Sequence, residues 1–320
     1  MIKSNYNKFP EVAIKGFNGY ASWQEIVDEQ KKQLSADNTK KVVVVECYPG
    51  VQIEPLIENL KREFRRFYTI DASTALKNES EIEQIVYPFV TDDPVFGYIT
   101  PLSLIDFFEN EKLQNAANEV AQVSEGIVCI FGTGASLIAP ENDLLIYADM
   151  PRWEIQLRYR RGEASNLGTH NSDDEFSYKY KRAFFVDWRV CDRLKNDLYD
   201  QMDYVLDTTK PEQPKMITGK ALLEGLKQVV QQPFRVVPFF DPGPWGGQWL
   251  KEVADLDRNE VNFAWAFDCV PEENSLLLRY GNLVFETPSI NLVFQQPKLL
   301  LGQKVFETFG AEFPIRFDFL

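Results

Sequence analysis

The 320-residue sequence has one histidine, no closely spaced cysteines and no long apolar run. Imidazole is the usual general base and a common zinc ligand, so a lone His170 excludes a two-histidine metal site within the chain. His170 falls in the polar stretch 167–174, which reads as a solvent-exposed loop. Cys47, Cys129, Cys191 and Cys269 include no Cys-x-x-Cys pair, which excludes a zinc knuckle and a thioredoxin-like motif. Cys47 and Cys129 end apolar runs, where free buried thiols are common, so a reducing compartment is expected. The N-terminus lacks the apolar stretch of a signal peptide, and no run approaches the roughly 18 apolar residues of a membrane span. A cytoplasmic location without a membrane partner is the expectation. Basic residues are also scarce, 34 against 48 acidic, and the net charge of -14 argues against a nucleic-acid partner. Lys61-Arg62 and Arg65-Arg66 read as the solvated face of a helix.

What is present is enough apolar material, 44% of residues, to bury a core throughout. The length suggests two domains. Trp23, Ile26 and Val27 have helical spacing. Four valines, 42–45, then form an unbroken β-branched run, the pattern of a strand buried on both faces. Tyr48-Pro49-Gly50 ends it, and Ile53, Leu56, Ile57, Leu60, Phe64 and Phe67 predict a helix over about 51–67, with Pro55 in its first turn. Further strands are expected at 67–70, 126–131 and 144–148, with a helix over 111–123. Strands alternating with helices predict an α/β domain with a mostly parallel sheet over 1–230. After the helix 219–230 the composition shifts to Pro, Gly and short β-rich runs, at 234–240, 261–267, 276–280, 283–285 and 291–294. Turns about every ten residues suggest a β sandwich or barrel over 231–320.

In parallel α/β sheets ligands bind beyond the carboxyl ends of the strands, which directs attention to three turns. The first, 46–53, stands where a phosphate loop belongs. Such a loop needs glycines, a Lys for charge and a Ser or Thr for magnesium. Only Gly50 is present, with Gln52 and Ile53 in the Lys and Ser/Thr positions, so a structural strand-turn-helix is favoured over a nucleotide site. The second turn, Gly132-Thr133-Gly134, is explained equally well by a tight turn. The third leads through Pro151 into a helix ended by Gly162, where Arg158 and Arg161 share a face. They could bind an anion, but Glu154 lies four residues before Arg158 and a surface ion pair is the simpler account. Trp245 and Trp249, in Trp245-Gly246-Gly247-Gln248-Trp249, could contact a sugar, although buried Trp in a turn is the commoner outcome. Glu272-Glu273 and Asp173-Asp174-Glu175 read as solvated charge.

Two resemblances follow. The order of elements, with Tyr147-Ala148-Asp149-Met150-Pro151 leading into the Arg-rich helix and then Phe185-Val186-Asp187-Trp188 and Met202-Asp203-Tyr204-Val205-Leu206-Asp207, resembles the uridine kinase and phosphoribulokinase branch of P-loop kinases over about 40–230. It implies a kinase-like fold whose phosphoryl transfer has decayed with the loss of the Lys and Ser/Thr. Phe239-Phe240-Asp241-Pro242-Gly243-Pro244 with Trp245 to Trp249, Phe267-Asp268-Cys269-Val270-Pro271 and Phe313-Pro314-Ile315-Arg316-Phe317-Asp318-Phe319-Leu320 resemble the opening of the catalytic domain in long, Bacteroidetes-type class I mannose-6-phosphate isomerases. That implies a zinc-dependent aldose–ketose isomerase on a cupin-type β-barrel, interconverting mannose 6-phosphate and fructose 6-phosphate. The Gln-x-His-Pro motif and the further Glu and His that hold zinc in that family have no counterpart here, so no catalytic or metal residue carries over. Zinc is expected only in a longer protein, with the present chain ending in the strand before the metal motif and leaving an unpaired edge. A sugar phosphate or a nucleotide remains the expected small-molecule partner, and the oligomeric state stays open.

Overall fold

A computed structural model of the chain describes residues 11–34, 39–231, 275–293, 295–296 and 298–299. Its centre is β3 (Lys41–Cys47). Val43 and Val45 face one side and Val44 the other, and all three are buried, because successive strand residues point to opposite faces and both faces are covered.

Parallel partners flank it. On one side lie β5 (Ile127–Gly132) and then β4 (Phe67–Asp71). On the other lie β6 (Leu144–Asp149) and β7 (Tyr204–Asp207). β8 (Lys215–Thr218), antiparallel to β7, and the two-residue edge strand β2 (Gly19–Tyr20), antiparallel to β8, complete a seven-stranded sheet. The order is β2-β8-β7-β6-β3-β5-β4. The protein is thus a mixed α/β fold with parallel strands in its sheet, as expected from the alternation of elements.

One face carries α1 (Trp23–Leu34) and α2 (Glu54–Glu63), whose Ile26, Val27, Leu56 and Leu60 meet Val43 and Val45. Pro55 sits in the first turn of α2, where its missing N–H has no helical partner to lose. The other face carries α3 (Glu79–Val90), α4 (Asn110–Gln122), the short α5 (Ala135–Ile138), α6 (Arg152–Arg160), α7 (Phe176–Arg182), α8 (Trp188–Leu198) and α9 (Gly219–Val229). A π-helical turn, Ala183–Asp187, joins α7 to α8. Asn78 caps α3 with a reciprocal box to Glu81. Cys47, Cys129 and Cys191 are buried free thiols. Among the described residues no helix is long and apolar enough to cross a membrane.

The C-terminal residues that are described belong to this body. β9 (Ser275–Tyr280) and β10 (Leu283–Pro288) form a hairpin, and β9 also pairs in parallel with β1 (Glu11–Ile14). The hairpin lies on α9, where the Tyr280 hydroxyl donates to the Ala221 carbonyl at 2.8 Å and Leu278 is fully buried. The strands expected at 276–280 and 283–285 are therefore present, as a hairpin joined to the N-terminal strand; the cupin barrel expected around them is not formed by the described residues. Residues 291–294, expected as a strand, instead begin within the short helix α10 (Ile290–Val293). Pro288 ends the ladder for want of an N–H, and Leu292 N closes a turn onto the Ser289 carbonyl at 3.0 Å. The runs at 234–240 and 261–267 and the terminal stretch 313–320 lie outside the described residues.

Candidate functional site

The chain leaves β3 towards β4 on one side, while β6 lies on the other, so the strand order reverses at β3 and β6. A crevice beyond their carboxyl ends is where such sheets bind ligands. The turns found by sequence meet there, together with the loop after β7. Their side chains fill the crevice.

Glu46 stands at the end of the valine run, 2% exposed. Its carboxylate accepts the Gly134 N–H at 2.6 Å and the Ser136 N–H at 2.8 Å. Burial pushes its pKa up from 4.5 to about 7, against the opposing pull of the two backbone donors. Gly50 has φ +84°, and a methyl group there would lie 3.1 Å from the Met150 side chain and 3.6 Å from that of Ile155. The space over the loop is thus occupied by apolar groups from α6 and from the residue that follows β6.

Three cations converge on the crevice, and each has a carboxylate. Arg158 donates to Glu154 at 3.2 Å, to the Gly50 carbonyl at 2.8 Å and to the Thr208 carbonyl at 3.0 Å. Arg152 donates to Asp192 at 2.6 Å and to the Tyr48 hydroxyl, and lies over the Trp188 ring. The Tyr48 hydroxyl donates to the second oxygen of Asp192 at 2.9 Å. Lys195 donates to Asp149 at 2.5 Å, between the rings of Tyr48 and Tyr147. Burial holds the Tyr48 and Tyr147 hydroxyls well above their ordinary pKa, so both stay protonated.

The C-terminal segment covers the same edge. Asn291 donates to Asp149 at 3.1 Å, the Glu286 N–H donates to Asp207 at 3.2 Å, and Gln295 donates to the Asp192 carbonyl at 3.1 Å. The Trp153 indole N–H reaches Ser275 and Glu286 at 2.8 and 3.1 Å.

Of the residues singled out from sequence, Gly50 and Arg158 are brought together, but through the glycine's carbonyl. The Glu154–Arg158 pair expected at the surface is buried, because α6 packs between the loops after β3 and β7, where Arg158 donates to one backbone carbonyl of each, Gly50 and Thr208. Arg161 lies at the rim, paired with Glu154 and Glu163. Trp245 and Trp249 lie outside the described residues. His170 is exposed beside Glu79, as expected. Sequence reasoning missed Glu46, Arg152, Asp192 and Lys195. A signal existed: Trp188, Cys191, Asp192 and Lys195 recur at helical spacing, a stripe that mixes apolar and charged residues. Among the described residues no group of three or more His, Cys, Asp or Glu could hold a metal ion. A cavity of about 510 Å³ does exist, but at the opposite end of the sheet, bordered by Lys41, Asp143, Asp203 and Lys220.

Residues 22–231 match the family described as a domain of unknown function, DUF8485. The chain belongs to that family. No curated protein matches the sequence. Among solved structures, the DUF8485 chain is similar to a protein of Silicibacter sp. TM1040 provisionally named a fructose transport system kinase, with 12% identity and a TM-score of 0.37, covering 54% of this chain and 94% of that one. That likeness is too distant to bear on function.

Proposed function

We propose that this chain is a kinase-fold module without phosphoryl-transfer activity, serving as the front part of a sugar-phosphate isomerase of the mannose-6-phosphate type. The observation that carries the first half is the state of the loop after β3. The position for a phosphate-binding Lys holds Gln52, and Met150 and Ile155 occupy the space above Gly50. The nearby cations are neutralised by Glu154, Asp192 and Asp149, so a triphosphate entering the crevice would have to break three buried ion pairs. The second half rests on the sequence resemblance of 239–250 and 313–320. In this reading zinc and turnover belong to a longer protein carrying a Gln-x-His-Pro motif.

Isothermal titration of the chain with ATP and magnesium tests the first half. No saturable heat is expected up to millimolar nucleotide, and saturable binding accompanied by phosphate transfer to mannose or fructose would establish a live kinase instead. Mannose 6-phosphate turnover with added zinc tests the second. This chain should show none, whereas a longer protein with the motif should be zinc-dependent; a longer protein inactive with zinc would remove the isomerase reading and leave the closed crevice untouched.

A further inference from the structure

Nine large apolar side chains are exposed among the described residues, and six of them fall between positions 87 and 105. Phe96 and Tyr98 are the most exposed of all, at 71% and 68%, and Tyr87 reaches 63%. Val95, Ile99 and Ile105 accompany them.

The backbone that displays them is held tightly. Thr91, at the end of α3, has φ 57° and ψ 177°, and among the described residues it alone has positive φ without being glycine. The Asp93 carboxylate accepts the N–H groups of Val95 and Phe96 at 2.8 and 2.7 Å. Lys181 donates to the carbonyls of Thr91 and Asp93. Tyr98 N bonds the Phe89 carbonyl at 2.7 Å and Thr100 N the Phe185 carbonyl at 3.0 Å. Arg193 donates to the carbonyls of Thr100 and Leu102. The segment is therefore tied to α3 on one side and to α7–α8 on the other, with its apolar side chains facing water. A strained backbone persists only where its surroundings over-determine it, and rigid aromatic groups lose little entropy on association.

The flanks differ in sign. Glu83 and Asp92 are exposed on the α3 side, while the half-buried Arg189 and Arg193, which donate to the carbonyls of Phe184 and of Thr100 and Leu102, carry positive charge on the α8 side. A two-fold axis through the segment places the acidic side of one copy against the basic side of the other, which makes the surface complementary to itself. At a net charge of -14, such pairing offsets part of the long-range repulsion between copies. At about 150–250 Å² for a whole aromatic side chain, the six exposed groups offer roughly 600 Å², near the ~800 Å² per partner of a standard interface.

We propose that residues 87–105 form the centre of a two-fold interface between two copies of this chain. The exposed side chains of this surface are none of those that fill the crevice, so this inference stands or falls separately from the proposed function.

Sedimentation equilibrium of the full chain between about 1 and 100 μM decides it. A dimer dissociating in the micromolar range is expected. Phe96→Ser with Tyr98→Ser changes exposed side chains only, so the fold should persist by circular dichroism while association weakens at least about tenfold. Asp92→Arg should weaken it several-fold at low salt, and less at about 1 M salt. Tyr68→Ser, at an exposed aromatic on edge strand β4, should change nothing. A wild type that is monomeric at about 100 μM, a double variant that dimerises as tightly as the wild type, or an equal effect of Tyr68→Ser would each overturn the proposal.

Discussion

Lys195 Nζ lies 2.5 Å from Asp149 Oδ2, with both side chains at most 3% exposed. The pair joins the middle of α8 to the end of β6, and Asn291 adds a second donor to the same oxygen. Removing one partner leaves a buried, uncompensated charge. Lys195→Met should therefore cost about 3–5 kcal/mol in urea unfolding. Lys195→Met combined with Asp149→Asn should cost less than the single change, because no charge is then orphaned. A double variant as unstable as the sum of the two single variants would show that the pair is not coupled.

Glu46 makes stability depend on pH. Between pH 4.5, its ordinary value, and about 7, the folded protein holds a proton that the unfolded chain has lost. The folded state binds more protons, so the contribution is complete below the unfolded value and falls as pH rises through the window, by on the order of 3 kcal/mol. Unfolding free energies at pH 5 and pH 8 should show this decline, and Glu46→Gln should flatten it. Parallel pH curves for the two proteins would refute the assignment.

Gly50 adopts a left-handed conformation under the Met150 side chain. Gly50→Ala adds both backbone strain and a close contact, for an expected loss of about 1–2 kcal/mol by thermal or urea unfolding. Since the loop holds no phosphate in the proposed reading, the change should leave nucleotide titrations as blank as those of the wild type.

Gly225 sets helix propensity against packing. In the middle of α9, alanine would favour the helix by about 1 kcal/mol. A methyl group there would stand 2.6 Å from a Leu278 methyl and 2.7 Å from the Tyr280 hydroxyl. The clash should win, with a net loss of about 1–3 kcal/mol and faster amide exchange in the β9–β10 hairpin. A stabilised Gly225→Ala variant would mean the hairpin yields without cost.

The sheet was legible because its strands carry unbroken apolar runs rich in β-branched residues, as at Val42 to Val45 and Ile127 to Ile130. The crevice was legible only as a place. The three turns were found, yet what fills them was not, since Met150 over Gly50 and Lys195 against Asp149 are contacts between residues far apart in sequence. The helix α3 escaped notice because Glu, Gln and Pro88 dilute its apolar stripe of Ile82, Ile85, Val86 and Phe89. The short helix α10 differs from the strand expected at 291–294 because the apolar run Leu292 to Phe294 is too short for period to decide. The division at residue 231 followed composition, whereas the hairpin from 275 onward packs by shape and hydrogen bonds on α9, which composition does not register.

The pairing of Glu11 with Leu277 also orders events during synthesis. At about 5–20 residues per second, the ribosome needs roughly 13–50 s to go from β1 to β9. For that interval β1 has no ladder partner among the described strands, while the parallel sheet between them can already form. The β1–β9 ladder would thus close after the parallel sheet, and a chaperone or a neighbouring nascent chain would meet the open edge of β1 until then.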